Sequence, residues 1–257
     1  PVKAGKNEMC LIVVGWQAHA EFPLVVAANR DEFYARATAT ASHWPDAPSV
    51  IGGIDLEAGG TWLGVTETGR FAAITNVREP GMAKGLQSRG TLTRDFLLSG
   101  MPATDYVETI DGSSFSGFNL LLGDGESLVY CSNRDGAPRV LPPGIYGMSN
   151  HLLDTPWPKL VLARERFAAA LQHLPDDRAF FALLADQSIV DDARLPQTGV
   201  ALEWERLLSA VFVKSATYGT RASTLLWQDR NGQVRLHEQS FGPNGQALQS
   251  SVISTAV

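Results

Sequence analysis

An α+β domain with antiparallel sheets layered against helices is the architecture this sequence predicts. The order of segments is strands, helices, strands, helices, strands. Short turn signals join neighbouring strands, which makes the sheets antiparallel. No Pro/Gly/Ser-rich linker divides the 257 residues and no repeat period stands out. One layered domain satisfies all three observations.

The elements follow in order. Cys10 to Gly15 and Phe22 to Ala28 are short runs rich in Val, Ile and Ala, read as buried strands joined through Ala18 to Glu21. Gly52-Gly53 and Gly59-Gly60 mark tight loops. Thr61 to Thr66 and Phe71 to Asn76 form a hairpin across Glu67, Thr68 and Gly69. Gln87 to Leu98 reads as a helix with Ser88 as its cap, and a second short helix starts at Thr104. Phe118 to Leu122 and Leu128 to Cys131 make another hairpin across Gly123-Asp124-Gly125. From Trp157 to about Leu174, apolar residues recur at three- and four-residue steps, which predicts the most regular helix. A further helix covers about Asp177 to Ala185. Arg221 to Gln228 and Gln233 to Phe241 flank the turn Arg230-Asn231-Gly232. Residues 1–9 read as an extension or tag remnant, 10–243 as the domain, and 244–257 as a loose polar tail.

Composition narrows the function classes. Hydrophobic residues make up 44% and charged residues 19%, as in ordinary globular proteins. The formal net charge is −6 and the basic residues are scattered, which argues against nucleic-acid binding. No apolar run approaches the roughly 20 residues that cross a bilayer. Pro1 to Met9 carry Lys3, Lys6 and Glu8 without an apolar stretch, unlike a secretory signal. The two cysteines, Cys10 and Cys131, are too few and too distant for a disulfide framework and fit a reducing compartment, so a cytoplasmic location is expected. The five histidines show no zinc spacing, and no dinucleotide or phosphate-loop motif occurs; no metal and no cofactor are expected. A small-molecule substrate or ligand is the expected partner, and the sequence leaves the oligomeric state open.

Several residues could carry chemistry. Cys10 directly follows Met9 and opens the first buried strand. Were Met9 the initiator and removed, Cys10 would hold a thiol and a free α-amine on one residue, and an amine titrating near pH 8 can serve as base for its own thiol. A small buried strand residue is the plain alternative. Asn29-Arg30-Asp31-Glu32 places four polar residues directly after an apolar strand. Arg30 there would favour a thiolate and Asp31 would orient an ammonium, or the segment is a solvated turn with local ion pairs. Asn76 and Asn150 each follow a strand-like segment. Their amides can donate to a developing oxyanion, or else bond their own turns. Arg221 enters a late strand and could hold an anion or form a surface pair.

Taken together, Met9-Cys10-Leu11-Ile12, Ala28-Asn29-Arg30-Asp31-Glu32-Phe33, Gly59-Gly60-Thr61-Trp62-Leu63-Gly64-Val65, Gly69-Arg70-Phe71-Ala72-Ala73-Ile74-Thr75-Asn76, Ser88-Arg89-Gly90, Gly117-Phe118-Asn119-Leu120-Leu121, Ser149-Asn150, Trp157-Pro158-Lys159 and Tyr218-Gly219-Thr220-Arg221 run through nearly the whole chain. In these segments the chain resembles the NRDE family, the transport and Golgi organisation type proteins, named for its Asn-Arg-Asp-Glu motif. The resemblance implies an N-terminal nucleophile (Ntn) hydrolase fold, a four-layer αββα sandwich of mostly antiparallel sheets, similar to the conjugated bile-acid and penicillin acylase group. It implies Cys10 as nucleophile, Arg30 and Asp31 in the early charged positions, Asn76 and Asn150 as oxyanion donors, and Arg221 as the late arginine. Two functions follow as expectations: an N-terminal-cysteine hydrolase or acyl transferase acting on a small amide or thioester, or a non-catalytic carrier of haem, lipid or acyl-coenzyme A. A third reading makes Cys10 and Cys131 redox sensors.

Overall fold

The computed structural model describes residues 9–83 and 85–255; of the segment 1–9 read above as an extension or tag remnant, 1–8 lie outside the described residues and Met9 begins the first strand. Two antiparallel sheets stack face to face. The first contains β1 (Met9–Trp16), β2 (Leu24–Phe33), β10 (Gly144–Met148), β11 (Tyr218–Gln228), β12 (Val234–Gly242) and β13 (Gln246–Ser254), in the order β10-β1-β2-β11-β12-β13. The second runs β3 (Thr38–Trp44), β4 (Ala47–Asp55), β5 (Leu63–Thr66), β6 (Phe71–Asn76), β7 (Phe118–Gly123), β8 (Leu128–Ser132) and β9 (Arg139–Val140) in sequence order.

The two-residue period of a strand sorts the side chains into layers. In β1, Ile12 and Val14 face the other sheet and pack with Val26, Leu226, Leu63, Phe71 and Leu121. Leu11 and Val13 point the opposite way, onto α3 (Pro158–Leu171) and α4 (Arg178–Leu184), where they meet Leu160, Phe167, Phe180 and Leu183. On the far side of the second sheet, Ala72, Ile74, Leu120 and Leu122 pack against α1 (Gly90–Leu98) and α2 (Ala103–Glu108) through Leu92, Phe96 and Tyr106. A short α5 (Leu202–Leu208) packs by Leu208 against Val213 and Tyr218. The result is helix, sheet, sheet, helix: the four-layer sandwich that the resemblance implies. Among the described residues no helix is long and apolar enough to cross a membrane.

Four expectations are corrected. Gly52 and Gly53 lie inside β4, not in a loop. A Cβ there would come within 2.8 Å of the Leu63 carbonyl oxygen at Gly52 and 3.0 Å of the Ala39 carbonyl oxygen at Gly53, so glycine serves strand approach rather than a turn. Ser88 does not cap α1; the helix starts at Gly90, with Arg89 at its N-cap and no side-chain cap. Asn29 to Glu32 are not a turn after β2 but its buried continuation. Finally, the tail read as loose forms β13, paired with β12 from Arg235↔Ser254 to Gly242↔Gln246. That strand is exposed along most of its length, with only Ser251 and Ile253 half-buried near its end, which is why its sequence carries so little strand signal.

Candidate active site

The site is built at the open end of the first sheet. β1 and β2 pair with Cys10 opposite Arg30 and Met9 opposite Asp31. Cys10 lies on the same face as Ile12, toward the other sheet, and Arg30 shares that face with Ala28. Both line a cleft of about 530 Å³ whose wall also includes Asp31, Asn76, Trp62, Ile74, Arg78 and Arg89. The cleft separates the ends of the two sheets, and residues 77–83 and 85–90 form much of its rim.

Strand alternation divides the Asn-Arg-Asp-Glu segment into two pairs with different duties. Asn29 and Asp31 face the helical layer. The Asn29 amide donates to the carbonyls of Leu184 at 2.8 Å and Val211 at 2.9 Å, and its oxygen accepts from Ser223 at 2.6 Å. Asn29 is thus a fastener between β2 and the segments beneath it. Arg30 and Glu32 face the other sheet. Arg30 donates to Thr38 Oγ1 at 3.3 Å and sits 3.7 Å from Glu32, which also lies 3.6 Å from Arg36.

Asp31 is 1% exposed; its Oδ1 accepts from Thr220 at 2.6 Å, and its Oδ2 has no hydrogen-bond partner among the described residues. Burial pushes its carboxyl up to about 6, against the attraction of Lys159, the Thr220 hydrogen bond and Arg30. Lys159 is the residue that sequence reasoning missed. It lies 5% exposed in the first turn of α3 and donates to the Leu208 carbonyl at 2.9 Å. Burial pushes it down to about 8, opposed first by Asp31. A lysine in a helix's first turn opposes the helix dipole, and that anomaly was the available signal.

The two asparagines meet. Asn150 donates from its side chain to the Asn76 carbonyl at 3.1 Å, and its own carbonyl accepts from the Arg78 N–H at 2.8 Å. Ser149 Oγ donates to the Cys10 carbonyl at 3.0 Å, so the turn carrying Asn150 is tied to the end of β1. Continuing the β1–β10 register from Ile12↔Met148 sets Asn150 opposite Cys10. Asn76 lines the cleft; Asn150, 1% exposed, sits behind it. Arg221 is placed differently. It occupies a bulge in β11, and its Nη1 donates to the carbonyls of Phe33 at 3.1 Å, Tyr34 at 3.3 Å and Arg36 at 2.8 Å. It holds the chain leaving β2 and does not line the cleft. Cys131 packs in the outer core between the second sheet and α1 and α2, and burial pushes its thiol up to about 11.

Glu238 of β12 joins the two sheets behind Arg30. Its carboxylate accepts from the Ala41 N–H at 2.7 Å and from Thr224 Oγ1 at 3.4 Å. Burial raises its pKa, against these bonds and Arg30. A folded-state pKa raised above the unfolded 4.5 means a stability contribution present at low pH and lost as pH rises through the folded value. Glu238→Gln removes the buried charge, keeps an oxygen to accept from the Ala41 N–H, and turns the second bond round so that its amide donates to Thr224 Oγ1. We expect it to be more stable than wild type at pH 7.5 by about 1–2 kcal/mol, with the difference vanishing near pH 4. Urea unfolding at stepped pH measures this; an equal or lower stability at pH 7.5 contradicts it.

No group of three or more potential metal-ligating side chains occurs among the described residues. The site is therefore a buried cysteine in a polar cleft, flanked by a guanidinium, a carboxylate and two carboxamides.

Residues 9–243 match the family model for transport and Golgi organisation 2. The Bos taurus transport and Golgi organization protein 2 homolog is 37% identical over 241 residues, covering 86% of this chain and 87% of that protein. The Homo sapiens homolog is 36% identical over the same shares. Among solved structures, the Caenorhabditis elegans N-acylethanolamine-hydrolyzing acid amidase ortholog aligns with a TM-score of 0.50 at 14% identity, over 84% of this chain and 92% of that one. That likeness concerns the fold, which is the Ntn-hydrolase sandwich. By the extent of the family match and the identity to its animal members, the chain belongs to the transport and Golgi organisation 2 family.

Proposed function

We propose that this protein is an N-terminal-cysteine hydrolase or acyl transferase acting on a small amide or thioester. The observation that supports the reading is the register of β1 on β2. It sets Cys10 against Arg30 in the cleft and puts Asp31 beside the residue that precedes Cys10. Removal of Met9 would leave the Cys10 α-amine next to a buried carboxylate whose Oδ2 has no hydrogen-bond partner among the described residues.

The chemistry then runs in two halves. The amine takes the thiol proton as Cys10 Sγ attacks the carbonyl carbon, and the carbonyl π electrons move to oxygen. The side-chain amide of Asn76, on the cleft wall, is the donor for that oxyanion, Asn150 supports it from behind through the Asn76 carbonyl, and Arg30 supplies positive potential on the cleft side. Collapse expels the amine or thiol, which carries off the proton, and leaves a thioester on Cys10. Water, or an acceptor amine, gives its proton to the α-amine, attacks the thioester, and restores the thiol. Arg221 acts at one remove in this scheme, by holding the chain that follows Arg30.

The test starts from chain expressed with Met9 as initiator. Intact mass is measured before and after iodoacetamide at pH 7. Loss of Met and a single label on Cys10, with Cys131 unlabelled, is the expected result. Retention of Met9, or equal labelling of the two thiols, overturns the reading.

A further inference from the structure

A second set of chemistry-bearing side chains lies on the helical face of the first sheet, three strands from β1. Leu236 of β12 packs inward between the sheets, so the next residue, His237, faces outward, toward the start of α4. His237 Nδ1 is 2.7 Å from Asp177 Oδ2, and its Nε2 is 3.1 Å from Ser250 Oγ on β13. A carboxylate can only accept, so Nδ1 carries the proton and donates to Asp177, which leaves Nε2 to accept from the Ser250 hydroxyl. Carboxylate, imidazole and hydroxyl thus stand in the order that an activated serine requires.

The surroundings fit that use. Asp177 is the N-cap residue of α4 yet makes no side-chain cap; its carboxylate goes to His237 instead. Arg235 approaches the same Oδ2 at 3.7 Å, and the Phe181 ring packs 4.5 Å from the imidazole and seats it. Asp177 and His237 are half-buried, whereas Ser250 is exposed and open to a substrate. The strand also supplies an oxyanion donor. The Thr255 N–H donates to the Val234 carbonyl. Alternation from that pair turns the N–H groups of Ile253 and Ser251 toward β12 and that of Ser250 outward from the sheet edge. A nucleophile's own backbone N–H is one of the donors such sites use.

We propose that Ser250 and His237, oriented by Asp177, form a second catalytic site, a serine centre for small activated esters. His237 Nε2 takes the hydroxyl proton as Ser250 Oγ attacks the ester carbonyl carbon, and the carbonyl π electrons move to oxygen. Collapse expels the alcohol with the proton from Nε2 and leaves the acyl group on Ser250. Water then gives a proton to Nε2, attacks the acyl carbon, and frees the serine. This centre is independent of Cys10, which faces the other sheet.

The experiment treats the full chain with an alkyl fluorophosphonate, which a nucleophilic serine attacks at phosphorus with loss of fluoride, and locates the label by peptide mass. Ser250 is expected to label at least about tenfold faster than the other serines, and His237→Gln to slow it about a hundredfold. No label on Ser250, equal labelling in a folded His237→Gln chain, or equal labelling of wild type unfolded in urea overturns the proposal. Imidazole nitrogen NMR at about pH 8.5, where histidine is ordinarily neutral, reads the orienting role of Asp177. Nδ1 is expected to carry the His237 proton in wild type and Nε2 in Asp177→Asn; wild type with the proton on Nε2 overturns the proposal. Hydrolysis of p-nitrophenyl acetate by Cys10→Ala, lost on adding Ser250→Ala, separates this centre from the cysteine; no change on adding Ser250→Ala overturns it.

Discussion

Replacing Cys10 by alanine is expected to abolish turnover of a simple thioester, by at least about a thousandfold in kcat/KM, while the fold stays intact. A suitable probe is the acetyl thioester of N-acetylcysteamine, with the released thiol read by a colorimetric reagent. The size of the effect follows from the role: without the sulfur there is no covalent intermediate, and only binding and oxyanion stabilisation remain. The fold should tolerate the change because Cys10 is a small residue at the strand's end, facing a cleft rather than the packed interior. Circular dichroism and a thermal melt confirm that part. Equal turnover by wild type and Cys10→Ala would remove the cysteine from the chemistry. Ligand binding by both with turnover by neither would favour the carrier reading instead.

The largest effect on stability is expected at Arg78. Its guanidinium pairs with Glu205 at 3.0 Å, with side chains only 2% and 6% exposed, and stacks 5.1 Å from the Trp157 ring. Arg78→Ala strands the Glu205 carboxylate in the interior and is expected to cost about 3–5 kcal/mol in urea unfolding. The double variant Arg78→Met, Glu205→Leu removes both charges and should recover most of that loss. No recovery would show that the guanidinium's packing on Trp157, rather than its charge, carries the effect. The Arg78 backbone N–H, which the alanine keeps, is bonded to the Asn150 carbonyl, and the Asn150 side chain holds the Asn76 backbone carbonyl, so these ties between the rim and the cleft wall should survive the change.

The layered architecture was legible in the sequence because β1, the first half of β2, and most of β6 and β7 are apolar runs and α3 has a clear helical period. The hairpin turns between β5 and β6 and between β11 and β12 fall where Gly69 and Gly232, both at positive φ, allow them. β3 and β4 were not legible. Their exposed ladder positions are polar, and their pairing is interrupted by bulges between Ala39 and Ser42 and between His43 and Trp44. β13 escaped for the related reason that this edge strand is exposed over its first five residues and alternates only near its end.

In the site, Cys10, Arg30, Asp31 and Asn76 line one cleft, and Asn150 is joined to it through Asn76. The segment Asn29 to Glu32 looked like a turn because four polar residues follow an apolar strand. The structure keeps them in the strand and buries all four, because the layers on either side supply partners for alternating side chains. Sequence alone offers no way to see those partners: Thr220, Ser223 and Lys159 lie more than a hundred residues away. Arg221 shows the converse. Its neighbours in sequence approach the site, but a one-residue bulge turns its guanidinium onto the backbone after β2.

One measurement addresses the nucleophile claim most directly. Chain expressed from Met9 is mixed with the acetyl thioester, quenched in acid within the first turnovers, digested, and the N-terminal peptide weighed. The expected peptide begins at Cys10, without Met, and carries one acetyl group that neutral hydroxylamine removes. A peptide that still carries Met9 while the protein turns over the thioester, or turnover with no acetyl ever found on Cys10, would contradict the account.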